Sequence, residues 1–101
     1  MNELISTKPS SPLVAPSILA ADFANLASDA AASLGAGADL LHVDIMDGHF
    51  VPSLSVGPAV CGSLRKALPE AYLDVHLMVS DPAAYFKTFA DAGADLLSFH
   101  I

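Results

Sequence analysis

From Leu13 onward the chain alternates short apolar runs with longer amphipathic stretches, the pattern of βα units around a parallel sheet. Leu13–Leu19 is the first strand candidate. Asp22–Ser33 follows with an alanine-rich composition and apolar Phe23, Leu26, Ala30 and Leu34 at spacings of three and four, which predicts a helix. Asp22 suits its N-cap, and Gly35 and Gly37 suit its exit. Asp39–Ile45 reads as a second strand, followed by a long connection from Met46 to Pro58. A helix is expected over Pro58–Leu68, with a proline in its first turn, Arg65 and Lys66 near its C-terminus, and Pro69 stopping it. Tyr72–Val79 is the third strand, Pro82–Ala92 the third helix with Asp81 as its N-cap, and Asp95–Ile101 the fourth strand.

One internal repeat supports this division. Gly37-Ala-Asp-Leu-Leu41 recurs as Gly93-Ala-Asp-Leu-Leu97, and each copy reads as glycine leaving a helix, a short turn, and a buried strand. The order β-α-β-α-β-α-β fits either an open doubly wound sheet or an arc of a (β/α) barrel. No GxGxxG or GxxxxGK[ST] fingerprint follows any strand, which removes the main reason to choose a nucleotide-binding fold.

Composition narrows the partners. The 4 Lys+Arg against 11 Asp+Glu give a formal net charge of −7, a balance that disfavours nucleic acid and anionic membranes. A hydrophobic fraction of 53% and a mean hydropathy of +0.54 exclude a disordered tail. No apolar run reaches the roughly 18 residues of a membrane span. Residues 1–12 are polar, punctuated by Pro9 and Pro12 and without an apolar core, so a flexible lead-in is expected there and a secretory leader is not. The single Cys61 is expected to be a small buried apolar residue in a reducing, cytoplasmic setting.

The chemistry concentrates at strand ends. Residues two apart on a strand share a face, so His42, Asp44 and Met46 point together, as do Asp74, His76 and Met78 on the next strand. Parallel neighbours would set these groups side by side at the end where α/β proteins build their sites. Two imidazoles and a carboxylate form a partial coordination sphere for a divalent metal such as Zn, Fe or Mn. Strand-end histidines merely hydrogen-bonded to their neighbours are the competing reading, and the residue pattern alone leaves both open. Asp44 also suits proton transfer, and Ser17 suits a hydrogen bond to a substrate hydroxyl. Met46 and Met78, by default core filler, are placed to wall a pocket. Asp47 and His49 read as solvated turn residues, Gly48 as the permissive position of a tight path, and His100 as an ordinary strand-end histidine.

Three stretches together resemble the ribulose-phosphate 3-epimerase family: Ala15-Pro-Ser-Ile-Leu-Ala-Ala-Asp-Phe23, His42-Val-Asp-Ile-Met-Asp-Gly-His-Phe-Val-Pro52 and Asp74-Val-His-Leu-Met78. The resemblance runs from about Leu13 to Ile101. It implies the (β/α)8 TIM barrel fold, of which residues 13–101 would be the N-terminal half with about four strands and three helices. It also implies metal-dependent interconversion of D-ribulose 5-phosphate and D-xylulose 5-phosphate, in a homo-oligomer of the pentose phosphate pathway. By matching position, Asp44 would be metal ligand and proton acceptor/donor, His42 and His76 further ligands of a divalent cation (Zn, Fe, Mn or Co), and Ser17, His76, Met46 and Met78 substrate contacts.

In that family a second aspartate on a later strand and glycine-rich late loops complete the metal shell and bind the phosphate, and these residues do not include them. Activity is therefore expected of the full barrel and not of these 101 residues alone. The alternatives are an epimerase of a related ketose phosphate, such as allulose 6-phosphate, or a non-catalytic half-barrel that binds metal or self-associates.

Overall fold

The computed structural model describes residues 4–101. Three parallel strands, β1 (Leu41–Met46), β2 (Leu73–Met78) and β3 (Leu96–Phe99), lie in the order β1-β2-β3, and the connections carry α1 (Leu26–Gly35), α2 (Pro58–Ala67) and α3 (Phe86–Asp91). This is an α/β fold, an arc of parallel sheet and helices of the kind that closes into a (β/α)8 barrel.

The strands follow from strict alternation. In β1 and β2 every second residue is buried: Leu41, Val43 and Ile45 on one, Leu73, Val75 and Leu77 on the other. These side chains form the core with Ala30 of α1, Cys61 and Leu64 of α2, and Phe89 of α3. Cys61 is a free thiol inside this cluster, and burial raises its pKa, so it is the inert apolar residue the composition predicts. The alternate positions, His42, Asp44 and Met46 with Asp74, His76 and Met78, are partly buried on the opposite face.

Helix α2 matches its predicted span to within a residue, with Pro58 in the first turn and Arg65 and Lys66 in the last. The other two helices begin differently. Asp22 caps a 3-10 turn over Phe23–Asn25, its carboxylate accepting the N–H of Ala24, and α1 starts only at Leu26. Phe23 is accordingly exposed and leaves the apolar stripe to Leu26, Ala30 and Leu34. A 3-10 turn over Pro82–Tyr85 likewise precedes α3, and the Asp81 side chain makes no capping bond.

The expected first strand over Leu13–Leu19 is corrected. Its segment is extended beside β1 but makes only one bridge, Ser17 to His42, before turning into a 3-10 helix at Ile18–Ala20. Pro12 and Pro16 have no N–H to give to a ladder, and Ser17 spends its hydroxyl capping that turn by accepting the N–H of Leu19. Of the expected lead-in, residues 1–3 lie outside the described residues, and 5–12 are exposed without helix or strand.

The two copies of the repeat do the same physical task. Asp39 donates its N–H to the Val14 carbonyl at 2.9 Å and accepts the Val14 N–H on Oδ2 at 2.7 Å. Asp95 donates to the Leu73 carbonyl at 2.9 Å and accepts the Leu73 N–H on Oδ2 at 2.9 Å. Each copy begins with a glycine of positive φ, 116° at Gly37 and 115° at Gly93, a conformation that side chains resist.

Candidate functional site

Register assembles the site. Asp44 pairs with His76, His42 with Asp74 and Met46 with Met78 across β1 and β2, so residues from two strands meet on the face turned away from the helices. The Ser17–His42 bridge adds the serine from the preceding segment. Asp44 is the hub. Its Oδ2 accepts the Ser17 hydroxyl at 2.5 Å, while its Oδ1 lies 3.0 Å from His42 Nε2 and 3.4 Å from His76 Nδ1. The Ser55 hydroxyl donates to the Asp44 carbonyl at 2.6 Å and accepts the Met46 N–H at 2.9 Å, which fixes the strand end that carries this carboxylate.

His42, Asp44 and His76 each offer a ligand atom, and these atoms lie within 4.8 Å of one another. The donor set suits a borderline divalent cation, since two imidazoles and a carboxylate are typical of Zn, Fe and Mn sites. Ser17 engages Oδ2 of Asp44, so the oxygen turned toward both imidazoles is Oδ1, the one such a cation would share with them. The residues present therefore fit a metal. The side chains of His42 and His76 are each 25% exposed and that of Asp44 is 14% exposed, enough access for a small ligand beside a group shielded from bulk water.

Each residue singled out in the sequence has a place. Ser17, His42 and His76 each meet Asp44, and Met46 and Met78 form the last register pair of the two strands on the same face. Asp47 is more than a solvated turn residue. Its Oδ1 accepts the N–H of His49 and of Phe50, and its Oδ2 accepts the N–H of Ser80 from the loop after β2, each at 2.9 Å. These bonds, that of Ser80 foremost, lower its pKa to about 2, and they tie the loops after β1 and β2 together. Gly48, at φ 76°, provides the tight path expected of it.

His100 stands at the strand end as expected and adds a contact to the site. Ser98 pairs with His76, so His100 stands one step further along the same face, and its Nε2 lies 2.7 Å from His76 Nε2. The Asp74 carboxylate, read from the sequence only as sharing a face with His76, reaches across the register pair to His42 Nδ1 at 2.8 Å. Ser55 carried no sequence signal, because its role depends on the path by which the long loop returns to β1.

Comparison with known proteins agrees with this geometry. Residues 13–101 match the model of the ribulose-phosphate 3 epimerase family. The chain is 56% identical over 88 residues to a protein of Oryza sativa subsp. japonica named ribulose-phosphate 3-epimerase, cytoplasmic isoform, covering 87% of this chain and 38% of that protein. Against the ribulose-phosphate 3-epimerase of Escherichia coli (strain K12) it is 52% identical over 88 residues, 87% of this chain and 39% of the relative. The chain thus spans about two-fifths of the length of the curated relatives it matches. Among solved structures, an L-Ala-D/L-Glu epimerase superposes with a TM-score of 0.61 at 25% identity, over 94% of this chain and 29% of that one. A parallel arc with a His-Asp-His cluster at its strand ends, and a family match across nearly all the described residues, lead to one conclusion: the chain belongs to the ribulose-phosphate 3 epimerase family.

Proposed function

We propose that these residues form the N-terminal part of a barrel that interconverts D-ribulose 5-phosphate and D-xylulose 5-phosphate, with Asp44 as the proton acceptor/donor. The observation that carries this reading is the convergence of Asp44, His42 and His76 within 4.8 Å, in a chain of this family. Epimerisation at carbon 3 removes the proton from the carbon beside the ketone, passes through a cis-enediolate, and returns a proton to the opposite face. The carboxylate of Asp44 takes or gives the proton on one face. Its orientation comes from the Ser17 hydroxyl on Oδ2 and the Ser55 hydroxyl on its backbone carbonyl, so it meets the substrate without first reorganising.

His42, Asp44 and His76 would hold a divalent cation, which when bound supplies positive charge to the oxygens of the enediolate. Ser17, His76, Met46 and Met78 contact the sugar phosphate; the methionines give an apolar wall that limits water at the reacting carbon. The acid for the opposite face and the phosphate site belong to the rest of the barrel, and activity is proposed for that whole. The rice relative is named a cytoplasmic isoform, and the same location is part of this proposal. Among the described residues no helix is long and apolar enough to cross a membrane.

The test follows the proton. In D2O, the complete protein should exchange the hydrogen on carbon 3 of ribulose 5-phosphate, and Asp44→Asn should slow that exchange by about 10²–10⁴-fold. Exchange in the variant within tenfold of the parent would remove Asp44 from this role. Zinc affinity, measured by chelator competition, should fall with His42→Ala and His76→Ala, and unchanged affinity in both would remove the metal assignment.

A further inference from the structure

The two histidines of the cluster do not turn the same ring nitrogen inward. His42 faces Asp44 through Nε2 and His76 faces it through Nδ1, and in each ring the other nitrogen is engaged by a residue with no role in the function proposed above. We propose that Asp74 and His100 are positioning residues that assign these nitrogens, Asp74 by holding Nδ1–H of His42 and His100 by accepting Nε2–H of His76. The inference rests on the metal reading of the site and deepens it.

For His42 the chemistry of the partner decides. Both ring nitrogens face carboxylates, which only accept: Nδ1 stands 2.8 Å from Asp74 Oδ2 and Nε2 3.0 Å from Asp44 Oδ1, and since a neutral ring carries one N–H, the shorter contact assigns it to Nδ1. The neutral ring then has its lone pair at Nε2, directed toward the cluster. The Asp74 side chain is 17% exposed, so water does not readily replace it. A carboxylate behind a ligand imidazole fixes the tautomer and ring orientation and makes the other nitrogen a better electron-pair donor.

For His76 the distances decide. Two imidazole nitrogens 2.7 Å apart share one N–H, donated by one ring and accepted by the other. If His100 donated, His76 would carry its proton on Nδ1 and would direct it at Asp44 Oδ1. That separation is 3.4 Å, long for an N–H···O bond to a carboxylate. With His76 as donor, Nδ1 presents a lone pair, and the longer separation is what two facing electron pairs require. Phe50 supports the arrangement from outside, its ring 5.2 Å from that of His100, which is in turn 5.0 Å from that of His76. The loop after β1 thereby braces a histidine on β2 through one at the end of β3.

The two outer partners are unequal. Asp74 brings a negative charge and His100 a neutral acceptor, so Asp74 has the larger effect on metal affinity. In the metal-free, ¹⁵N-labelled protein at alkaline pH, two-bond ¹H–¹⁵N correlations should show His42 as the Nδ1–H tautomer and His76 as the Nε2–H tautomer. Finding His42 protonated at Nε2, or His76 at Nδ1, would overturn the assignment. Competition between the protein and a chelator for Co(II) should show about 10–100-fold weaker binding in Asp74→Ala, a smaller loss in Asp74→Asn, a measurable loss in His100→Ala, and recovery in His100→Gln, whose amide oxygen accepts the same N–H. Parent-like affinity in both alanine variants would defeat the proposal. A parent protein that takes up no Co(II) would defeat the metal reading instead, and the tautomers would then decide the ring-nitrogen assignment alone.

Discussion

Arg65 ties the end of α2 to the turns that lead into β2 and β3. From the last turn of α2 its guanidinium makes five hydrogen bonds: Nε and Nη2 to the Gly93 carbonyl, Nη1 to the carbonyls of Pro69 and Ala71, and Nη2 to Asp95 Oδ2 at 2.6 Å. Arg65→Met keeps most of the aliphatic stem and deletes every one of these bonds. The side chain of Asp95, 13% exposed, is then left with the Leu73 N–H alone. Losing one partner of a buried pair costs about 3–5 kcal/mol, and a hydrogen bond to a charged group about 1.5–3 kcal/mol. Because the Arg65 side chain is 25% exposed and water can reach part of the gap, the low end applies, about 3 kcal/mol. Urea unfolding followed by circular dichroism reads this directly. With a slope of about 1.5 kcal/mol/M the midpoint should fall by about 2 M, whereas Lys66→Met, at the exposed neighbouring position, should stay within about 0.5 kcal/mol of the parent. A shift for Arg65→Met below about 0.5 M would refute the reasoning. A double-mutant cycle with Asp95→Asn should return a favourable coupling energy.

The repeat supplies a paired comparison. A Cβ at Gly93 would sit 2.7 Å from Arg65 Cγ and 2.8 Å from its Cβ, whereas one at Gly37 meets nothing within 4 Å; Gly37→Ala should cost about 1–2 kcal/mol from backbone strain alone, and Gly93→Ala distinctly more by the same unfolding measurement. Asp47 gives a pH dependence. Its folded pKa, about 2, is below the ordinary aspartate value, so its contribution to stability is fully present above about pH 4 and is lost as pH falls through the folded value. An NMR titration should locate that midpoint, and Asp47→Asn should flatten the acid limb. Ser55→Ala, which deletes two hydrogen bonds at the end of β1, should destabilise by about 1–2 kcal/mol and weaken Co(II) binding in chelator competition.

What was legible in the sequence was whatever depends on short periods. Alternation located β1 and β2 to within two residues at each end, and because a strand has period two it also put His42 and Asp44, and Asp74 and His76, on one face before any contact was known. Pro58 and the basic pair Arg65-Lys66 bounded α2 for equally local reasons. The failures came from competing local signals and from long-range contacts. Leu13–Leu19 has strand composition, but a strand needs a ladder, and prolines at 12 and 16 and the capping role of Ser17 reduced the ladder to one bridge. The partner of His100 was not legible because it is set by a register offset between β2 and β3 that composition does not encode. The reach of Asp47 to Ser80 likewise joins two loops 33 residues apart.

The Gly-Ala-Asp repeat bears on how such a chain is assembled. Each aspartate closes a loop of modest length, 25 residues back to Val14 and 22 back to Leu73, and each closure uses only the residue's own N–H and carboxylate. Loop-closure entropy rises slowly with length, each doubling adding only about 0.6 kcal/mol. The chain can therefore add one βα unit at a time, each new turn fastening the segment laid down before it. Growth by accretion of this kind needs no distant partner until the sheet itself closes, and it suits a fold made by repeating one unit.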